Sequence, residues 1–164
     1  MTEDSDAIMN DRRHTAVHEA GHAAISRVLT MTCGRATIIA DHDSAGHHVV
    51  HDPWVVYAHW DQIGKYRDID SVFRGRIMSF MAGHEAEEVL LAKAVAGDGD
   101  DRYQIDLMAD ELGVGLECLS RLRQHTRRLV RRHQRVIQVV ADQLLKAGTL
   151  PGTEIDRMMA EVMA

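Results

Sequence analysis

Cysteine is scarce in this chain. Cys33 and Cys118 are too few and too far apart in sequence for a disulfide framework or a cysteine-built metal site, and they suit a reducing compartment. Positive charge is not in excess either: the formal net charge of −6 argues against a protein that binds nucleic acid over its whole surface. No apolar run approaches the roughly eighteen residues that a membrane helix needs, and the first residues are acidic where a secretory leader is basic. A cytoplasmic protein without a membrane segment is therefore expected. Aromatic residues make up 4% of the chain and proline occurs twice, beside nine Met and many Ala, Leu and Val. That balance favours a mainly helical fold. With 164 residues, 45% hydrophobic and 27% charged, one domain with a real core is expected.

Histidine, by contrast, is plentiful, with eleven in the chain. His18-Glu19-Ala20-Gly21-His22 forms an HExxH pattern inside a segment that favours helix. On a helix His18 and His22 lie one turn apart on one face, where two imidazoles can bind one Zn²⁺, and Glu19 points toward the open coordination position. A catalytic zinc keeps a position for water and lowers its pKa to roughly 7, whereas a structural zinc closes its shell with four protein ligands. A pattern this short also arises from composition alone, so its context decides.

Residues 1–11 are polar and acidic and read as a flexible tail, with Asn10 or Asp11 as a helix cap. From 12 to about 30 the apolar residues recur at helical spacing. Two β-rich runs, 35–39 and 47–51, suggest a small antiparallel ribbon that Pro53 ends, and 54–65 reads as a loop or short helix. Helices are expected over about 69–94, with Gly83 as a break or close-packing point, and over about 101–112 after the turn 97–101. One long helix is expected over 116–146, with Leu122, Leu129 and Val136 on one stripe. Gly148 stops it, Pro151-Gly152 turns the chain, and 153–163 closes the fold as a helix.

The third ligand sets the class of a HExxH site. The longer metzincin pattern is excluded because Ile25 and Val28 stand where it needs Gly and His. A Glu twenty to thirty residues downstream is missing as well. Two carboxylate clusters are left, Glu85, Glu87 and Glu88 in one and Asp98, Asp100 and Asp101 in the other. Chemistry alone leaves them nearly tied.

In five blocks the chain resembles the peptidase domain of the FtsH-type AAA zinc proteases: HEAGHA at 18–23, ATII…G at 36–46, GHEAEEVL at 83–90, GDGDDRYQIDLMA at 97–109 and KAGTLPGTEI at 146–155. Together they span roughly residues 12–160. The resemblance implies a zincin-like, mainly helical domain over 12–164 with a β ribbon near the active site. It also implies zinc held by His18, His22 and Asp101, with Glu19 as general base. Two features depart from the family. Asp98-Gly99-Asp100 replaces its small polar turn residues, and no Walker A sequence or other ATP site is present. A peptidase of short or unfolded polypeptides is thus expected, working as a homo-oligomer or with a separate unfoldase. The alternative is a non-catalytic interaction or regulatory module with the same fold.

Other residues carry weaker signals. His14, one turn before His18, would as a fourth ligand occupy the place that water needs. Glu87 or Glu88 could orient a metal-bound His. His47, His48, His51 and His59 do not converge readily and are expected to face solvent. In the family a strand edge beside the zinc holds extended substrate through backbone hydrogen bonds, and 46–51 is the matching stretch here. The segment 121–135 has seven Arg and no acid. Its apolar heptad spacing makes a solvated or subunit-facing helix the better reading. Nucleic-acid binding would bring interleaved aromatics, which this segment lacks.

Overall fold

Small residues let two helices approach closely, and the remaining elements are arranged about that contact. The computed structural model describes residues 3–31, 33–40, 46–50, 52–65, 67–95 and 99–164, of residues 3–8 and 47–50 the backbone alone. The order is α1 (Glu3–Val28), β1 (Cys33–Thr37), β2 (His47–Val50), α2 (Pro53–Gln62), α3 (Ile69–Leu91), α4 (Gly99–Leu112), α5 (Leu116–Arg132), α6 (Gln134–Ala147), β3 (Thr149–Leu150) and α7 (Gly152–Met163). The protein is mainly helical with a small antiparallel sheet, as its composition implies.

Ala16, Ala20, Ala23 and Ala24 of α1 are fully buried. At Gly21 of the same helix, a Cβ would lie 2.6 Å from the Ala82 carbonyl oxygen and 2.7 Å from the Ala86 Cβ. Only glycine fits where α1 meets α3. Helix α1 also packs against α6, whose Ile137, Val140 and Leu144 join Ile155, Met158 and Met159 of α7 in the same cluster. A second cluster joins Phe73, Ile77 and Met81 of α3 to Ile105 and Met108 of α4. Each such side chain contributes about 1.5–3 kcal/mol on burial. This seam aims the first turn of α4 at α1, because Asp101 stands one turn before Ile105.

The sheet order is β2-β1-β3, with Ala36 opposite His48 on one side and Leu150 on the other. Among the described residues β2 pairs with β1 alone, which leaves its outer edge open. No helix among the described residues is long and apolar enough to cross a membrane.

Three details differ from the sequence expectations, and over 54–65 the short-helix alternative is the one found. Helix α1 begins at Glu3, so residues 3–11, expected as a tail capped at Asn10 or Asp11, continue the motif helix. Residues 53–62 are helical, with Pro53 in the first turn and the Asp52 carboxylate accepting the Trp54 N–H at 2.8 Å. The helix expected over 116–146 is divided at His133, whose φ of −107° and ψ of 16° close α5. Neither Gly nor Pro marks that point. The two halves bury their stripes against different partners, α5 on α3 and α6 mainly on α1, and the change of partner turns the chain. Strand β3, only two residues long, was not expected; it follows Gly148, whose φ of 76° ends α6.

Candidate metal centre

The 3.6-residue repeat of α1 puts His14, His18 and His22 on one face, and all three are buried. Each of the last two has its Nδ1 engaged by an acceptor. His18 Nδ1 donates to Glu87 Oε1 at 2.7 Å, and His22 Nδ1 donates to the Ser79 carbonyl at 2.7 Å. With the proton on Nδ1, a neutral imidazole presents a bare lone pair at Nε2. Both Nε2 atoms face the same oxygen: Asp101 Oδ2 lies 3.0 Å from His18 Nε2 and 3.1 Å from His22 Nε2. Three acceptors turned toward one another repel unless positive charge lies between them.

That demand shows in the proton affinities. Burial would lower the pKa of His18, but its hydrogen bonds to Asp101 and Glu87 outweigh burial and push it up to about 10. For His22, burial is likewise outweighed by Asp101, and its pKa is raised. Asp101 is held well below the usual carboxylate range by the two imidazoles, despite its own burial. In the metal-free protein, protons supply the missing charge.

Potential ligand atoms of His18, His22 and Asp101 all lie within 4.8 Å of one another. A tetrahedral zinc with bonds of 2.0–2.1 Å sets its ligand atoms about 3.3 Å apart. The observed separations and the donor set, two imidazoles and a carboxylate, therefore fit a divalent ion. Gly83 of α3 makes this convergence possible: a Cβ there would lie 2.6 Å from Nε2 of both histidines.

The carboxylates divide their work. Asp101 reaches the histidines, Asp100 is exposed, and Asp98 lies outside the described residues. Glu87, fully buried, bonds His18 with one oxygen and, with the other, His14 Nδ1 at 2.8 Å and the Val95 N–H at 2.8 Å. Thus Glu87 both orients His18 and ties down the connection that carries Asp101. His14 stays outside the metal group. Glu88 accepts from the Ala94 N–H at 3.1 Å and does not orient a histidine of the group. Glu85, also fully buried, pairs with Arg123 at 2.9 Å and Arg127 at 2.5 Å, so two arginines of the Arg-rich segment have a structural partner.

Glu19 is 5% exposed, and its Oε2 has no hydrogen-bond partner among the described residues. Burial raises its pKa, against the charges of His22 and His18. The open strand begins beside it: a Cβ on Gly46 would lie 2.9 Å from Thr15 Cγ2 and 3.3 Å from Glu19 Cγ. His59 is exposed on α2, while His51 and the side chains of His47 and His48 lie outside the described residues. Sequence reasoning missed the Ser79 carbonyl, since a backbone acceptor leaves no trace in residue type. It also missed Arg76, a buried cation whose only signal was its place among the apolar residues of α3. No protein-family model and no curated protein matches the chain.

Proposed function

We propose that this protein is a zinc-dependent endopeptidase that hydrolyses peptide bonds in short or unfolded polypeptides. The observation that carries the proposal is the convergence of His18 Nε2, His22 Nε2 and Asp101 Oδ2 beside Glu19, whose buried Oε2 has no hydrogen-bond partner among the described residues. His18, His22 and Asp101 would hold the metal. Zinc bound there supplies Lewis acidity toward the scissile carbonyl and toward water.

The chain's own residues do the rest. Glu19 Oε2, without a hydrogen bond among the described residues, accepts the proton of the attacking water and then passes it to the leaving amine. Its raised pKa makes it a better base for that exchange than an exposed carboxylate. Glu87 and Ser79 keep the two imidazoles in the Nδ1–H form by accepting from them. An extended substrate pairs with the free edge of β2, whose entry residue Gly46 lies against Glu19. A backbone rail of this kind takes extended chain and excludes folded domains, which is why unfolded polypeptides are the proposed substrates.

Glu19→Gln tests the assignment. The variant keeps its metal but loses at least about 100-fold in kcat, because the neutral amide cannot accept a proton. Unimpaired hydrolysis by this variant would remove Glu19 from the mechanism. A casein-like unfolded chain should be cleaved and a stable folded domain spared, and equal cutting of both would count against the rail.

A further inference from the structure

Arg76 of α3 is only 7% exposed, yet its Nε has no hydrogen-bond partner among the described residues. The guanidinium lies over the Phe80 ring, 4.2 Å from the centroid. Such stacking stabilises the face of the cation and leaves the in-plane Nε–H, which is buried, without an acceptor. Burial lowers its pKa to about 10, against the charges of Asp52 and Asp101, so it is a cation at neutral pH. A buried cation with an unused donor is unfavourable until an acceptor reaches that donor, and an anion serves best.

Its position says where that anion would come from. Arg76, Ser79, Phe80 and Gly83 share one face of α3 at i, i+3, i+4 and i+7. The Ser79 carbonyl and Gly83 already belong to the metal centre. Seven residues of helix amount to about 10 Å, which an extended chain covers in about three residues. The open strand leads the same way: it enters at Gly46 beside Glu19, and two residues past its end comes Asp52, whose charge acts on Arg76.

We propose that Arg76 is a substrate anchor, its paired N–H groups gripping a carboxylate carried within about three residues of the scissile bond. The inference rests on the peptidase reading. An acidic side chain and a free C-terminal carboxylate present the same chemistry, and the experiment separates them.

Unstructured fluorogenic peptides are made identical except for Glu or Gln at each position within three residues of the cut, and a Gln peptide ending in that range is made with a free or an amidated C-terminus. Zinc-loaded protein should cleave the best-placed carboxylate peptide with a kcat/KM roughly 10- to 100-fold above its neutral twin. A Glu-over-Gln preference identifies a side chain, and a free-over-amide preference identifies the terminus. Arg76→Met should bring that ratio close to one, and Arg76→Lys, with a single point charge, should fall between. A merely structural Arg76 would lower both members of a pair together and leave their ratio intact, which would overturn the proposal. So would wild-type protein with no preference at any position. The same pairs are measured for binding to metal-free Glu19→Gln protein by fluorescence anisotropy. Carboxylate-dependent binding that Arg76→Met abolishes, without cleavage of any peptide by wild type, supports the anchor and sinks the hydrolase. Cleavage without preference sinks the anchor and keeps the hydrolase. If Arg76→Met fails to fold by its melting curve, the wild-type ratio and Arg76→Lys carry the test.

Discussion

Gly83→Ala tests the metal centre without altering a ligand. The added methyl would lie 2.6 Å from His18 Nε2, 2.6 Å from His22 Nε2 and 2.7 Å from His18 Cδ2. Non-bonded heavy atoms settle at about 3.5 Å, so each ring tip must withdraw by about 0.9 Å. Neither ring is free to do so, because its Nδ1 is held at 2.7 Å, by Glu87 in one case and by the Ser79 carbonyl in the other. A metal site tolerates about 0.5 Å of displacement. Zinc affinity should therefore fall by roughly 100-fold or more, at the upper end of what changes around a ligand shell produce.

Stability should respond far less. Replacing Gly by Ala inside α3 stabilises the helix by about 1 kcal/mol, while overpacking costs about 1–3 kcal/mol. The metal-free variant should thus lose about 2 kcal/mol at most. Competition against a chromophoric chelator measures the affinity, and denaturant unfolding of metal-free protein measures the stability. Gly115→Ala is the control, since a Cβ at that position meets open space. If Gly83→Ala bound zinc as tightly as wild type, the two imidazole tips would not meet over Gly83, and the proposed centre would be wrong.

Gly21→Ala should act on the fold instead, because its Cβ would meet the Ala82 carbonyl at 2.6 Å and force α1 from α3; a loss of about 1–3 kcal/mol is expected in denaturant unfolding. The pH dependence has a definite sign. The folded, metal-free protein holds the His18 proton more tightly than the unfolded chain, so the stability it contributes is complete below 6.5 and is lost as pH rises to about 10. Metal-free unfolding free energy should fall over that window, and zinc uptake near pH 7.5 should release at least about one proton, measured by calorimetry in buffers of different ionisation enthalpy. Zinc binding without proton release would show that His18 is already neutral.

How much could be read in advance followed from how local each cause is. Helical periodicity placed His18, Glu19 and His22 on one turn of α1, and the turn chemistry of Gly148 and of 151–152 bounded α6 and α7. These depend on neighbours a few residues away, so spacing suffices. The division at His133 was not legible, because no residue there breaks a helix and the turn follows from packing on two different partners. Strand β3 was missed because two residues carry no pattern of their own.

The sequence alone determined a helical chain with two imidazoles on one face, a carboxylate beside them and a short list of acids that could join. Tertiary packing decided the rest. It chose Asp101, since the α3–α4 seam turns the first turn of α4 toward α1. It assigned Glu87 to His18 and left Glu85 to Arg123 and Arg127, although the three glutamates 85, 87 and 88 stand together in sequence. It also buried Arg76 with its Nε–H unused among the described residues. Contacts between residues 38 to 83 positions apart depend on the relative placement of whole helices, which no local pattern encodes.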